Sequence, residues 1–467
     1  MKRYILILLI FLSGMVIYAQ KQGNFWYFGE YAGLNFGMGV PQALTNGALS
    51  TGEGCSSIST SAGALEFYTD GRYVYNREHD QMPHGNGLFG HSSSTESGII
   101  VPKPGNSSHY YIFTVDAYDN NLAHGLCYSL VDMTLDGGLG DVVTSEKNVS
   151  LLPLTCEKVT AVGHSNGYHF WVITHQWGTN AFYAFEVTST GVNTTPVISN
   201  TGPVLSGDMQ ASKGYIKVSP DGSKIGMANN TAFNVVICSF NNASGSINEI
   251  VTDYNYVNPG GGDPGGPYGV EFSPNSHLLY VGEWKANRRI HQYDVTTSDP
   301  QLILNSKQIV ASVGQNADPI GAMQIAPDNR MYIARQNSAY LSRINSPNTP
   351  GTACGFVDNA VNLAGRSCTY GLPPFIQSFF YLTIDYYWDV PTCDEEPVKF
   401  YTSASDTPDS VRWNFGDPGS GSMNTSTLLN PTHLYPGTGN YWVTLVVYLY
   451  GVAKNTFHII IVNPAVN

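Results

Sequence analysis

Residues 267–282 read PYGVEFSPNSHLLYVG, and this stretch decides the fold. An apolar run alternates with other residues up to Phe272, a Ser-Pro-Asn turn signal follows at 273–275, and a second apolar run covers 278–281. Two β-type runs joined by such a turn predict a tight antiparallel hairpin, with Val270 and Phe272 in its core.

The same design recurs along the chain. Close copies are GYIKVSPDGSKIGMA at 214–228 and AMQIAPDNRMYIA at 322–334, and looser copies lie on the N-terminal side. The predicted inner strands begin near Cys55, Ser97, Lys158, Gly214, Pro267, Pro319 and Gly371. Repeats of this size predict a β-propeller, here with seven blades over residues 24–388, with six or eight blades as alternatives.

The last repeat, GLPPFIQSFF from Gly371, has an inner strand but no evident second strand. An aromatic strand at 25–29 has no hairpin partner before it. We therefore expect the N-terminal strands to complete the last blade, because closing the ring leaves no sheet edge exposed.

Composition and the N-terminus limit the function classes. Two basic residues, an apolar run at 4–12 and Tyr18-Ala19 predict a signal peptide over residues 1–19, and hence a secreted or cell-surface protein without a transmembrane segment in the mature chain. A formal net charge of −13 with no basic stripe argues against nucleic acid as a partner. Only 12% of residues are charged and 49 are Gly, which is typical of a turn-rich all-β chain.

A composition break at 389–397, DVPTCDEEP, predicts a linker between a propeller over 20–388 and a second domain over 398–467. The second domain resembles the polycystic-kidney-disease type (PKD) domain, an immunoglobulin-like β-sandwich. Asn414 and Pro418 depart from the family pattern, which otherwise expects Asp and Gly there. The matching positions are Trp413, Phe415, Gly416, Asp417, Pro431, His433, Tyr435, Gly439, Tyr441, Val443 and Leu445.

The chain as a whole, from NFWYFG at 24–29 to the PKD-like unit, resembles large exported proteins of gliding bacteria that use type IX secretion. The resemblance implies surface attachment through a C-terminal sorting domain. The printed sequence stops at NPAVN, directly after the sandwich, so that domain lies beyond it or this member is released or anchored otherwise.

One polar residue per blade follows the second strand, where propellers place ligands. These seven are Glu30, Asp70, Asp116, His175, Asn229, Glu283 and Arg335, with the aromatic residues Tyr118, Trp177 and Trp284 in the same loops. They predict a polar ring rimmed by aromatic side chains, suited to stacking on sugars or to holding calcium through oxygen atoms. The alternative is that these residues begin tight turns by bonding local amides.

Other candidate sites carry weaker signals. Three histidines (79, 84 and 91) lie in one insertion and match no zinc spacing, so a metal site competes with a loop packed on the ring. Export permits disulfides, and Cys354 with Cys368 is the expected pair, with buried free thiols as the alternative.

Two functional hypotheses follow, beside the third possibility of a purely structural repeat of the surface layer with no small ligand. In the first, the propeller is a recognition platform for an extracellular glycan or protein, and the PKD domain is a spacer or accessory binding module. In the second, the chain is a secreted carbohydrate-active hydrolase or lyase that uses carboxylates among Asp70, Asp116 and Glu283. No nucleophile motif, no required cofactor and no metal beyond calcium is predicted, so the first hypothesis is favoured.

Overall fold

The computed structural model describes residues 21–256, 265–285, 287–314, 318–381, 384–389, 396–404, 408–449 and 452–462. The predicted signal peptide lies outside these residues. The chain divides into two compact units, one ending at Tyr381 and the other beginning at Leu382. Within the described residues, no helix is long and apolar enough to cross a membrane.

The first unit contains seven antiparallel sheets within the described residues, numbered here in chain order. Sheets 1 to 3 consist of β1 (Phe25–Phe28), β2 (Ala32–Asn35) and β3 (Gln42–Leu44); β4 (Ser56–Ser59), β5 (Leu65–Thr69) and β6 (Val74–Asn76); and β7 (Gly98–Pro102), β8 (His109–Val115), β9 (Leu126–Asp132), β10 (Asp141–Val142) and β11 (Val149–Leu152).

Sheets 4 to 7 follow the same plan. They consist of β12 (Thr155–Gly163), β13 (Phe170–Gln176), β14 (Ala181–Thr188), β15 (Gly191–Val192) and β16 (Val197–Asn200); β17 (Ile216–Val218), β18 (Lys224–Asn229), β19 (Asn234–Asn241) and β20 (Ser246–Asp253); β21 (Pro267–Phe272), β22 (Leu278–Glu283), β23 (Arg289–Asp294) and β24 (Gln308–Ser312); and β25 (Ile320–Ile325), β26 (Met331–Arg335), β27 (Tyr340–Ile344) and β28 (Phe356–Asn362).

Helical segments are short. The α-helix α1 (Pro300–Ser306) is capped by Asp299, whose carboxylate accepts from the backbone N–H groups of Gln301 and Leu302. Single 3₁₀ turns cover Lys21–Gly23, Tyr118–Asn120, Asp136–Gly138, Thr144–Glu146, Met209–Ser212, Gly351–Cys354, Gln377–Phe380 and Pro418–Asn424.

The six hairpins predicted before Gly371 are all present. The deciding stretch forms β21 and β22 with Val270 opposite Val281, and the other predicted hairpins pair in the same antiparallel way. Val270 and Phe272 are fully buried, as the alternation predicted. Each strand end is fixed by its turn: the hydroxyl of Ser273, for example, accepts from Leu278 N at 2.9 Å.

The first strands of successive sheets lie side by side, in the order β1, β4, β7, β12, β17, β21 and β25. The ring closes where Tyr332 of sheet 7 packs edge-on against Trp26 of sheet 1. The unit is therefore propeller-like, and its apolar clusters lie between neighbouring sheets. Seven sheets equal the predicted number of blades, while the blade count itself stays a prediction.

The closure of the ring differs from the prediction that the N-terminal strands complete the last blade. Residues 371–376 form no strand, and β1 to β3 form a sheet of their own. The segment instead lies beside them: Phe375 packs against Trp26, and the Ser56 hydroxyl donates to Pro374 O at 3.4 Å. Two prolines, at 373 and 374, lack the N–H groups that a β-ladder needs, which explains why this inner position is filled without strand pairing.

The second unit is a sandwich of two sheets. One contains β29 (Ile384–Asp389), β30 (Val398–Ala404) and β33 (Thr432–His433), and the other contains β31 (Ser410–Asn414), β32 (Thr425–Ser426), β34 (Gly439–Leu449) and β35 (Val452–Val462). Trp413, Phe400 and Phe415 fill the space between them.

The predicted domain boundary needs correction, because β29 pairs along its whole length with β30. Tyr386 joins the two sandwich sheets: its hydroxyl donates to Val443 O at 2.6 Å and accepts from His458 N at 2.9 Å. The sandwich thus begins before residue 398. The composition break marks a connection within the sandwich, of which residues 390–395 lie outside the described residues.

The expected disulfide is also wrong. Cys354 and Cys368 are both buried free thiols, and Cys368 Sγ instead contacts the backbone of Arg335. The alternative of small buried thiols used for packing is therefore correct for this pair.

Candidate functional site

The predicted polar ring does not assemble from its two aspartates. The buried carboxylate of Asp70 accepts from the backbone N–H groups of Arg72 and Tyr73 and pairs with the Arg72 guanidinium at 2.6 Å. Asp116 accepts from the backbone N–H groups of Ala117 and His124. Both carboxylates bond the turn that follows their own strand, as the alternative interpretation expected.

The other five ring positions also have separate partners. Glu30 is exposed and its backbone N–H donates to Ser367 O, whereas the rest are buried. Their side-chain contacts are His175 with Cys156, Asn229 with Asn234, Glu283 with His291 and Asn287, and Arg335 with Ser342 and Asp358. In the described part of the chain, no hydrogen bond or ion pair joins one ring member to another.

The three insertion histidines also have separate partners. His84 Nδ1 lies 2.6 Å from Asp141 Oδ2, His79 Nε2 lies 2.6 Å from the Asn46 amide, and His91 Nδ1 accepts from Ser93 N. Among the described residues, no group of three or more His, Cys, Asp or Glu side chains is placed to hold a metal ion.

A different set of polar side chains meets at the centre of the ring. The Tyr268 hydroxyl of sheet 6 donates to Glu53, which precedes sheet 2, at 2.9 Å. The Lys217 ammonium of sheet 5 donates to Gln324 of sheet 7 at 2.7 Å. Because these bonds join sheets that are not neighbours, they cross the middle of the ring.

Charged side chains line this centre at full burial. The Lys217 ammonium lies 3.8 Å from Glu271, and Lys158 donates to three backbone carbonyls, those of residues 212, 213 and 214. Glu96 accepts from Ile216 N at 2.9 Å, and Glu157 accepts from the backbone N–H of residue 95. Burying a charge costs free energy unless the group is paired or hydrogen-bonded, and each of these side chains has at least one such partner.

Burial changes the protonation of these groups. It raises the pKa of Glu96 to about 8 and that of Glu271 to about 7, in both cases against the opposing charge of Lys217. Burial lowers the pKa of Lys158 to about 8. The pKa of Glu53 is raised by burial and by the charge of Glu157. Strongly shifted groups gathered in one place mark a candidate functional site.

At one end of this centre, near the start of the first strands, Tyr118 and Tyr370 are partly exposed, and four buried side chains lie with them. We name these side chains, Glu53, Tyr118, Lys213, Tyr268, Trp284 and Tyr370, the axial cluster. The Trp284 ring stacks on Tyr268 with centroids 5.7 Å apart and meets Tyr370 edge-on at 5.4 Å. The Lys213 ammonium lies 4.9 Å from the Tyr118 ring centroid and 5.0 Å from that of Trp284.

Two predicted aromatic residues, Trp284 and Tyr118, therefore belong to the site, while Trp177 packs against the apolar cluster between sheets 4 and 5. The sequence interpretation missed the charged members. A signal existed for some: Lys217, Glu271 and Gln324 occupy the same position in the three close repeats, IKVSP, VEFSP and MQIAP. A polar residue recurring inside an otherwise apolar inner strand indicates an inward-facing functional position.

The sandwich carries a second surface feature. The outer face of its four-stranded sheet exposes Trp442 and Phe457, each by more than half, with ring centroids 5.5 Å apart and planes within 27°. Ile459 and Ile461 extend this apolar face along β35. A groove of about 370 Å³ lined by residues 425–428 and Arg412 lies in the same unit.

Comparisons with known proteins agree with this architecture. The PKD domain family matches residues 383–459, which includes β29 and so supports the earlier start of the sandwich. The PKD1 domain of Vibrio anguillarum Epp is 20% identical, covering 18% of this chain and 95% of its own, with a TM-score of 0.15. No curated protein matches the chain.

Propeller-like solved structures resemble the first unit. A protein from Lactobacillus plantarum is 10% identical, with 75% of this chain and 98% of that chain covered and a TM-score of 0.46. A putative 6-phosphogluconolactonase from Bacteroides fragilis is also 10% identical, covering 75% and 97%, with a TM-score of 0.43. The sheets of the structure and the family match make the chain all-β, a propeller-like unit followed by a PKD domain.

Proposed function

We propose that this protein is an exported, secreted or cell-surface binding protein whose propeller recognises an extracellular glycan or protein at the axial cluster. The observation that carries the proposal is the axial cluster itself: aromatic rings, an ammonium group and a carboxyl group meet at the end of the ring centre where Tyr118 and Tyr370 are partly exposed. Apolar walls with a few convergent polar groups are the usual composition of a binding site.

The hydrolase alternative depended on three carboxylates. Those of Asp70 and Asp116 are held by their own turns, and that of Glu283 lies 3.1 Å from His291 Nε2. Because each is committed to a neighbour, we propose binding and not hydrolysis as the role of this face.

An accessory binding role for the PKD domain is supported by the exposed face around Trp442 and Phe457. An exposed aromatic pair beside isoleucines is typical of interaction surfaces. Attachment to the surface of a bacterium that uses type IX secretion is the cellular setting we propose for both sites.

The test is a binding screen of the chain from residue 20 onward against a broad glycan panel, with calcium and then with chelator. We expect a saturable interaction that Trp284→Ala weakens at least tenfold, because the ring forms one wall of the axial cluster. Trp177→Ala, at a predicted aromatic position outside the cluster, is the matched control. An interaction equally sensitive to both changes, or no interaction, would contradict the proposal.

A further inference from the structure

Lys213 is a buried cation without a counter-charge. Its residue is 5% exposed, and no carboxylate lies within ion-pair distance of its ammonium group among the described residues. Its one side-chain hydrogen bond is to Gln210 Oε1, at 3.3 Å, and its other close neighbours are the faces of Tyr118 and Trp284. An ammonium group has three donors, so this one retains donors for a ligand.

Trp284 provides an independent second observation. The residue is 7% exposed, and its indole Nε1–H has no hydrogen-bond partner in the described structure. A buried donor without an acceptor is costly, and native proteins rarely leave one unless a ligand or water completes it. The indole donor without an acceptor therefore belongs to the ring beside which the Lys213 ammonium lies, 5.0 Å from its centroid.

The neighbouring carboxyls do not fill this role. The pKa of Glu53 is raised to about 8 by burial, by Glu157 and by Asp119, and is lowered by the Tyr268 hydroxyl and by Lys213. Glu157 is engaged by residue 95 and by the backbone N–H of Tyr118. Burial and the charge of Glu157 favour the neutral form of Glu53 by raising its pKa, which weakens it as a counter-charge for Lys213.

We propose that the axial cluster binds an acidic group, a carboxylate or sulfate carried on a sugar, which accepts from Lys213 Nζ and Trp284 Nε1 while the sugar lies against the aromatic rings. The inference rests on the proposed function and names its ligand class. Charge-assisted hydrogen bonds to an anion are about twice as strong as neutral ones, and burial strengthens them further.

The experiment measures binding of the chain from residue 20 onward by calorimetry at pH 6.5, with three probes: an oligogalacturonate, a sulfated oligosaccharide and a neutral oligosaccharide of the same length. We expect one anionic probe to bind at least tenfold more tightly than the neutral one, and more weakly as salt rises. The two anionic arms distinguish carboxylate from sulfate.

Lys213→Met should lower that affinity at least tenfold and remove the preference over the neutral probe. Lys103→Met, in the turn between β7 and β8 at the opposite end of the hairpin, should leave it unchanged. A second readout does not depend on losing Lys213. Affinity for the anionic probe should fall from pH 7 to pH 9, because the Glu53 carboxylate that forms competes with the probe for the Lys213 ammonium. Glu53→Gln should abolish that fall.

Tight binding of the neutral probe that Lys213→Met leaves intact would overturn this inference and retain the proposed function. The same holds if the anionic probes bind no better than the neutral one, or if Glu53→Gln keeps the pH dependence. A chain that binds neither these probes nor any member of the broad panel would overturn both proposals.

Discussion

The two units of this protein bury different kinds of side chain. The centre of the propeller-like unit holds lysines and glutamates at full burial, among them Lys158, Glu96 and Glu271. The centre of the sandwich holds Trp413, Phe400 and Phe415, and beside them one buried ion pair, His433 with Asp417 at 3.1 Å. The sandwich core is therefore mainly aromatic, whereas the centre of the propeller-like unit buries many more charged groups.

The difference follows from geometry. Two sheets that face each other can interdigitate apolar side chains over a core about 10 Å thick. A ring of first strands instead leaves a central space that side chains from many sheets enter at once. Polar groups there can bond across the ring, as Tyr268 does to Glu53. The cost of burying them is more often accepted at functional sites.

The largest effect that separates the two cores should come from Trp413→Ala. The side chain is fully buried between the sandwich sheets, and its Nε1–H donates to Leu428 O at 3.0 Å. Truncating such a residue costs about 3–5 kcal/mol. Calorimetry should show the sandwich transition lost or lowered while the propeller transition stays. An unchanged sandwich transition would contradict the placement of Trp413 in this core.

Lys217→Met should cost nearly as much, and its cost should depend on pH. Removing one partner of a buried pair costs about 3–5 kcal/mol, since Glu271 is left charged in a site that excludes water. Protonation of Glu271 relieves this, so urea unfolding should show a smaller cost at pH 5 than at pH 8. Phe272→Ala, fully buried in the same unit, is the pH-independent control. Equal costs at both pH values would mean that only packing was lost.

Glu96→Gln should change how stability depends on pH, with little effect at pH 5. The pKa of Glu96 is about 8 in the folded chain and near 4.5 when unfolded, so the folded state binds its proton more tightly. This stability is fully present below pH 4.5 and is lost as pH rises to about 8, by up to about 1.4 kcal/mol per pH unit. The variant lacks this slope, so its advantage over wild type in urea midpoint should grow from pH 5 to pH 8. An identical slope in both proteins would contradict the shift.

The fold was predictable because its signals are local. Hairpins such as 267–283 are predicted by alternating apolar residues on either side of a turn signal. The sandwich is predicted by a run of positions, from Trp413 onward, that match the PKD family pattern. The predicted domain boundary at 398 is wrong because β29 pairs with β30, and the polar stretch between these two strands resembles a linker in sequence. The prediction of an inner strand from Gly371 failed because the prolines that follow have no backbone N–H groups to donate to a β-ladder.

The site was less predictable because it depends on which sheets meet across the ring. The position after each second strand selected Asp70 and Asp116, but their carboxylates accept hydrogen bonds from backbone N–H groups of the turns that follow. Glu53 and Lys213 lie outside any strand, and nothing in their local sequence shows that they approach Tyr268 and Trp284. Only the shared repeat position of Lys217 and Glu271 was available as a signal.

The smallest effect on stability should come from Trp442→Thr, on the outer face of the sandwich. Trp442 and Tyr387 are both 58% exposed, but they lie on opposite sheets, so Tyr387→Thr is the matched control. Neither change should move either unfolding transition by more than about 0.5 kcal/mol, because exposed side chains contribute little to stability. Only Trp442→Thr should weaken retention of the chain on an immobilised glycan that it binds. Equal weakening by both variants would assign the contact to general surface hydrophobicity. Loss with Trp442→Thr alone would support binding through the outer face of the sandwich, in contrast to the binding through its centre that we propose for the propeller.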